Sequence, residues 1–175
     1  GTYFTCAIAQ TEDAYCWGQG VYGQLGNSTP KVTWAPLRVL VAGAPVGAPG
    51  VRFRAIAAGG FHTCGISREG KAYCWGAGHA GQLGRKPGKL LPELAFTAGS
   101  VWGQQGLVFR TITSGHEHTC AVASGGRAYC WGNNIGGQLG DGTTEDRSEP
   151  TLVQAPEGVR FRVIEAGAFH TCALS

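Results

Sequence analysis

Two residue types with the means for chemistry recur together along this chain. His62, Thr63 and Cys64 are followed by Cys74; His118, Thr119 and Cys120 by Cys130; and His170, Thr171 and Cys172 open a further copy. Imidazole and thiol in proximity can ligate zinc, pair as base and nucleophile, or, as two thiols, close a disulfide. Cys6 and Cys16 repeat the ten-residue spacing without the His, because Phe4 holds its place. Zinc is the weakest fit, since no fourth ligand is evident and residues two apart on a strand share one face. Catalysis needs a nucleophile, a base and an orienting group brought together once, whereas these residues recur with every unit. Cross-strand disulfides and reduced, buried cysteines acting as small apolar side chains are the main alternatives. The constant spacing in three otherwise divergent units favours the disulfides Cys6–Cys16, Cys64–Cys74 and Cys120–Cys130. Facing Cα atoms in an antiparallel pair lie roughly 4.5 to 5.5 Å apart, within disulfide reach. Cys172 is unpaired by position.

Hairpins are needed to hold such pairs opposite one another, and the composition agrees. Thirty Gly, eight Pro and no Met point to short strands and turns rather than long helices, with 43% hydrophobic residues for a core. Ala-Tyr-Cys-Trp-Gly, four free positions and Gly-Gln-Leu-Gly occur from Ala14, Ala72 and Ala128. Successive leading cysteines are 58, 56 and 52 positions apart, a period that suits a four-stranded blade better than a helix pair. In the middle unit, residues 51–58 read as a strand entering a buried layer and 62–67 as a second. Residues 68–70 are a hairpin turn and 71–75 a third strand. A fourth is expected over 36–40 and 150–153, its counterpart near Pro92 being less clear. The chain divides into repeats of about 1–58, 59–114 and 115–166, with the start of a fourth at 167–175, in one repeat domain over 1–175.

These motifs in combination resemble the repeat of the regulator of chromosome condensation family, across essentially the whole length. The resemblance implies an all-β propeller of four-stranded antiparallel blades, commonly seven in that family, of which about three are present here. It also implies a protein partner. A cysteine-paired, bacterial-like secreted variant is the expectation, since the paired cysteines depart from the nuclear members.

Most other conspicuous residues read as scaffold. Trp17, Trp75 and Trp131 recur at one place and are expected to pack against a neighbouring blade rather than stack on a ligand. Gln24, Gln82 and Gln138 are expected to satisfy backbone groups in a Gly-dependent loop. Asn133, Asn134, Asp141 and Gly142 read as turn residues. The repeated His are expected to bond backbone at a blade turn, and Arg54, Arg110 and Arg162 to sit at solvated strand ends. Asp141, Glu145, Asp146, Arg147 and Glu149 read as a solvated loop of mixed sign, while His79 and His116 lie outside the repeat pattern.

Recognition is therefore expected in what differs between units. Residues 27–50 carry Trp34, and residues 85–106 carry Arg85, Lys86, Lys89 and Trp102; aromatic and basic loop residues are enriched at interfaces. The 14 Lys and Arg are scattered in sequence, and the formal charge is +3. No stripe for nucleic acid is apparent. No stretch has the roughly 20 apolar residues of a membrane helix. The sequence reading is a non-catalytic, protein-binding scaffold without cofactor or metal, at an extracellular, periplasmic or cell-surface location. One alternative is an accessory subunit docked on a larger membrane or extracellular assembly. Another is an intracellular regulator, such as a nucleotide-exchange factor for a small GTPase.

Overall fold

A computed structural model describes residues 1–40, 50–85, 94–101 and 106–175, with the backbone alone over 94–100. The described residues form thirteen strands and no helix. In chain order these are β1 (Phe4–Ile8), β2 (Ala14–Gly18), β3 (Thr33–Arg38), β4 (Phe53–Ala58), β5 (His62–Ser67), β6 (Ala72–Ala77) and β7 (Leu94–Ser100). They continue with β8 (Phe109–Ser114), β9 (His118–Ala123), β10 (Ala128–Gly132), β11 (Arg147–Leu152), β12 (Val163–Ala166) and β13 (Thr171–Leu174).

Hydrogen bonding groups them into antiparallel sheets β1-β2-β3, β4-β5-β6-β7, β8-β9-β10-β11 and β12-β13. These are blades of a β-propeller, two of them with four strands, whose inner strands β4, β8 and β12 lie side by side. The sheets divide the chain just ahead of the repeats counted from cysteines: residues 53–58 join the blade that follows them. The outer strands start three residues earlier than expected, at Thr33 and Arg147, and the one near Pro92 runs from Leu94. Ala55 to Ala58 are only half-buried, because the inner strand lines the propeller axis rather than entering a layer covered on both faces.

The cysteines face each other in register, Cys6 with Cys16, Cys64 with Cys74 and Cys120 with Cys130. All three pairs are disulfides, with Cα atoms 4.1 to 4.2 Å apart. Their sulfurs are thus not available to zinc. Cys172 is free and exposed.

The core lies between blades. One cluster joins Ile66 and Leu83 of the second blade to Phe109 and Trp131 of the third; another joins Phe4 and Leu25 to Phe53 and Trp75. The indole Nε1 of Trp75 donates to the carbonyl of Gln24 at 2.9 Å, and that of Trp131 to the carbonyl of Gln82 at 3.0 Å. The same carbonyls accept from the next blade's Thr63 and Thr119 hydroxyls, and Gln138 accepts from Thr171. Each Gln side chain also accepts through Oε1 from the amide two residues upstream, of Tyr22, Ala80 and Gly136. Gly84 closes the Trp131 seat: its φ is +66°, and an added Cβ would lie 2.9 Å from the indole nitrogen. Glycine satisfies both demands.

The ring Nε2 of two repeated His meets a hydroxyl of the next blade rather than the expected backbone group. His62 Nε2 lies 2.8 Å from the Thr119 hydroxyl of the next blade, and His118 Nε2 lies 3.0 Å from that of Thr171. The single proton of Thr119 is directed to the Gln82 carbonyl, so its oxygen must accept from His62 Nε2–H. Burial lowers the His62 pKa to about 3, helped by repulsion from His118, His116 and His79. Burial also lowers that of His118, to about 4, with repulsion from His170 adding.

Candidate functional site

Antiparallel order sends the blades' connections to two ends. The turns at 59–61, 115–117 and 167–169 share one end with the long connections that follow β2, β6 and β10. The hairpins at 9–13, 68–71 and 124–127 occupy the other. These are called below the loop end and the hairpin end.

At the loop end, rings from four successive units form a row. Tyr22 meets Phe61 edge-on at 5.0 Å between centroids, Phe61 meets His116 at 4.9 Å, and His116 meets Phe169 at 5.3 Å. Phe169 is 68% exposed. Tyr22 is exposed, while Phe61 and His116 are half-buried. Such contacts fix ring orientation and leave apolar faces for a partner. Beside the row, His79 Nε2 stands 2.8 Å from Glu117 Oε1. Beside His116, small residues, Gly59, Gly60, Gly115 and Gly167 among them, line a cavity of about 280 Å³.

Trp34 lies at the same end. It is 94% exposed, and with Tyr3 and Val32 it lines a cavity of about 360 Å³. Arg85 is half-buried and engaged with neighbours, so it is not a free loop cation. Lys86, Lys89 and Trp102 lie outside the described residues. Trp75 and Trp131 are fully buried between blades, whereas Trp17 is half-buried.

The mixed-charge loop of the third unit leaves Glu145 and Asp146 exposed as expected, but Asp141 is buried in a hydrogen-bonded network. Asn134 is fully buried and donates through Nδ2 to Asp141 Oδ1, Thr143 O and Glu145 O, while Oδ1 accepts from the Leu139 amide. Asp141 is buried and accepts from Arg147 Nε at 2.7 Å and from Thr143. Desolvation opposes its charge, yet hydrogen bonds from Arg147, Thr143 and Asn134 outweigh that and hold its pKa at about 2. The network leaves Ile135 81% exposed at the tip.

Sequence reasoning missed the aromatic row. A signal was present: the position before the repeated His, or Phe4, is Tyr3, Phe61, Glu117 and Phe169, aromatic in three units of four. Tyr22 and His116 carry no comparable mark.

Models of the regulator of chromosome condensation (RCC1) repeat match residues 13–66 and 125–174, and, for a second model, 53–82 and 109–138. The chain is similar to the ultraviolet-B receptor UVR8 of Arabidopsis thaliana, with 32% identity over all of this chain and 38% of the receptor. Among solved structures it resembles Prp20p of Saccharomyces cerevisiae, described with its binding to Gsp1p and histones. The TM-score is 0.82 at 24% identity, over 99% of this chain and 42% of Prp20p. It also resembles the CRINKLY ectodomain of the Arabidopsis thaliana receptor kinase ACR4, with a TM-score of 0.52 at 23% identity, over 99% of this chain and 43% of the ectodomain. The chain thus spans about two fifths of the length of each.

Proposed function

The chain belongs to the RCC1 repeat family, and from that premise we propose that it is a non-catalytic protein-binding module. It is secreted or surface-exposed and engages its partner at the loop end. The row Tyr22–Phe61–His116–Phe169 carries this reading. Four units that share their interior donate four different side chains to one continuous ring surface, flanked by the Tyr3–Trp34 cavity. Exposed aromatics on a rigid frame are the usual anchors of an interface, because they bury much area and lose little conformational entropy.

An oxidising location is supported by the three disulfides, which persist in secreted and surface compartments and are rare in cytosol. Likeness to a receptor ectodomain is consistent with it. Two measurements on the native protein test the proposal. Thiol counting under denaturing, non-reducing conditions should find six of the seven cysteines blocked; seven free thiols would refute the location. A photo-crosslinking amino acid at position 61 or 169 should capture a protein partner that the same group at position 149, on the outer strand β11 away from either end, does not. Equal capture from position 149 would refute the assignment of the face.

A further inference from the structure

Basic residues scattered in the sequence are gathered by the fold at the hairpin end. Arg54, Arg110 and Arg162 stand at the start of the three inner strands, and Arg68, Lys71 and Arg127 on the hairpin turns that adjoin them. Arg38 ends β3 beside these, and Arg52 and Arg160 stand on the connections. All nine are exposed. One backbone pattern brings each inner strand to the preceding blade's hairpin: Phe53 donates to Glu12 O, Phe109 to Gly70 O and Phe161 to Gly126 O. The carboxylates at this end are Glu12, Asp13, Glu69 and Glu157. The end therefore carries a net five positive charges, while everything else in the chain nets two negative.

Part of this charge is already engaged. Arg38 pairs with Asp13 at 2.7 Å, and Arg54 donates to Phe109 O and Ser67 O. The guanidinium groups of Arg110, Arg127 and Arg162 have no hydrogen-bond or ion-pair partner among the described residues. Arg127 and Arg160 also line a cavity of about 580 Å³ with Leu152, Val159 and Phe161 in its wall. Gln154 and Glu157 line it too, Glu157 being its one carboxylate. Guanidinium groups beside apolar wall residues suit a ligand that offers carboxylates around an apolar side chain.

We propose that the hairpin end is a second docking surface, for an acidic polypeptide segment. Its carboxylates pair with Arg110, Arg127 and Arg162, and an apolar side chain enters the cavity. Two features favour a peptide over nucleic acid. The four carboxylates interspersed at this end would face a phosphodiester chain charged at every step, whereas a peptide can place neutral residues against them. The exposed aromatic row that could stack on bases lies at the opposite end.

The test is an anisotropy titration of the intact protein with a short fluorescein-labelled peptide of alternating Glu and Leu at low salt. Saturable binding is expected, weakening as salt rises. The double variant Arg110→Glu/Arg162→Glu should lower affinity by about tenfold or more, equivalent to about 1.4 kcal/mol. Arg127→Glu alone should lower it by a smaller factor and serves if the double variant does not fold. Phe61→Ala should leave this binding unchanged, which separates its failure from failure of the loop-end reading. Absence of saturable binding would overturn the proposal, as would indifference to all three charge reversals. Tighter binding of duplex DNA or of phosphatidylserine vesicles than of the peptide would also overturn it.

Discussion

At the seam between the second and third blades, His62, Thr119, Gln82 and Trp131 meet through a fixed set of bonds, and His118, Thr171 and Gln138 repeat those available to them at the next seam. A short way along the same strands, at the loop end, the units diverge. One position holds Tyr3, Phe61, Glu117 and Phe169 in turn, and the connections after Ala-Tyr-Cys-Trp-Gly differ in sequence and charge. The seam must close every time a blade meets a blade, so its atoms are constrained by packing and by the cost of a buried polar group left unpaired. The exposed loop-end side chains, outside the buried Asn134–Asp141 network, meet no such demand from the fold. Substitution should therefore cost stability at the seam and recognition at the loop end.

The largest effect is expected at Trp131. It is fully buried, and Trp131→Ala both opens a cavity beside Leu83 and Phe109 and removes a donor from Gln82 O. A loss of about 3 to 5 kcal/mol in chemical denaturation is expected for such a truncation. Trp17 has the same sequence context but is half-buried. Trp17→Ala should cost clearly less. Equal losses would show that the repeat motif, rather than the seam, sets the energy.

An intermediate effect is expected from pH. His62 has a folded pKa of about 3 against about 6.5 unfolded, so between these values the unfolded chain binds a proton that the folded chain refuses. Stability is full above about pH 6.5 and falls as pH drops toward 3. By pH 5 the loss attributable to His62 is about 2 kcal/mol, at about 1.4 kcal/mol per pH unit. Denaturation midpoints at pH 7.5 and 5 should show it, and His62→Gln should make that limb shallower, leaving the part due to His118. A variant retaining the full acid sensitivity would place its origin elsewhere, for example at His118, whose pKa burial lowers to about 4.

Legibility in the sequence follows the same division. Cys64 and Cys74 were readable as a pair because a constant ten-residue spacing is imposed by a hairpin of constant length. Trp75 and Gln24 were readable as scaffold because they recur, although their bond to each other crosses 51 positions and only the fold reveals it. Asn134 and Asp141 looked like ordinary turn residues, since a polar residue in a loop carries no mark of burial. Their network depends on how residues 133–147 fold back on themselves. The aromatic row was hidden for a related reason: Tyr22, Phe61 and His116 come from connections that are adjacent only once the blades are side by side. Likewise Arg110 and Arg127 share an end through the strand order, not through closeness in sequence.

The smallest effect on stability, and the sharpest test of the division, is expected at Phe169. Its ring is 68% exposed and touches His116 on one side only, with no polar group to leave unpaired. Phe169→Ala should change unfolding free energy by about 0.5 kcal/mol or less, the usual range for surface sites without a special role. Phe61→Ala removes contacts to both Tyr22 and His116, so it should cost somewhat more, yet far less than Trp131→Ala. In crosslinking or capture of the native partner, the order should reverse, with the loop-end variants losing the signal that stable seam variants retain. If Phe169→Ala destabilises as a core truncation does, the row is part of the seam. The surface for recognition would then reduce to Trp34, Tyr3 and Val32, whose exposure owes nothing to the ring contacts.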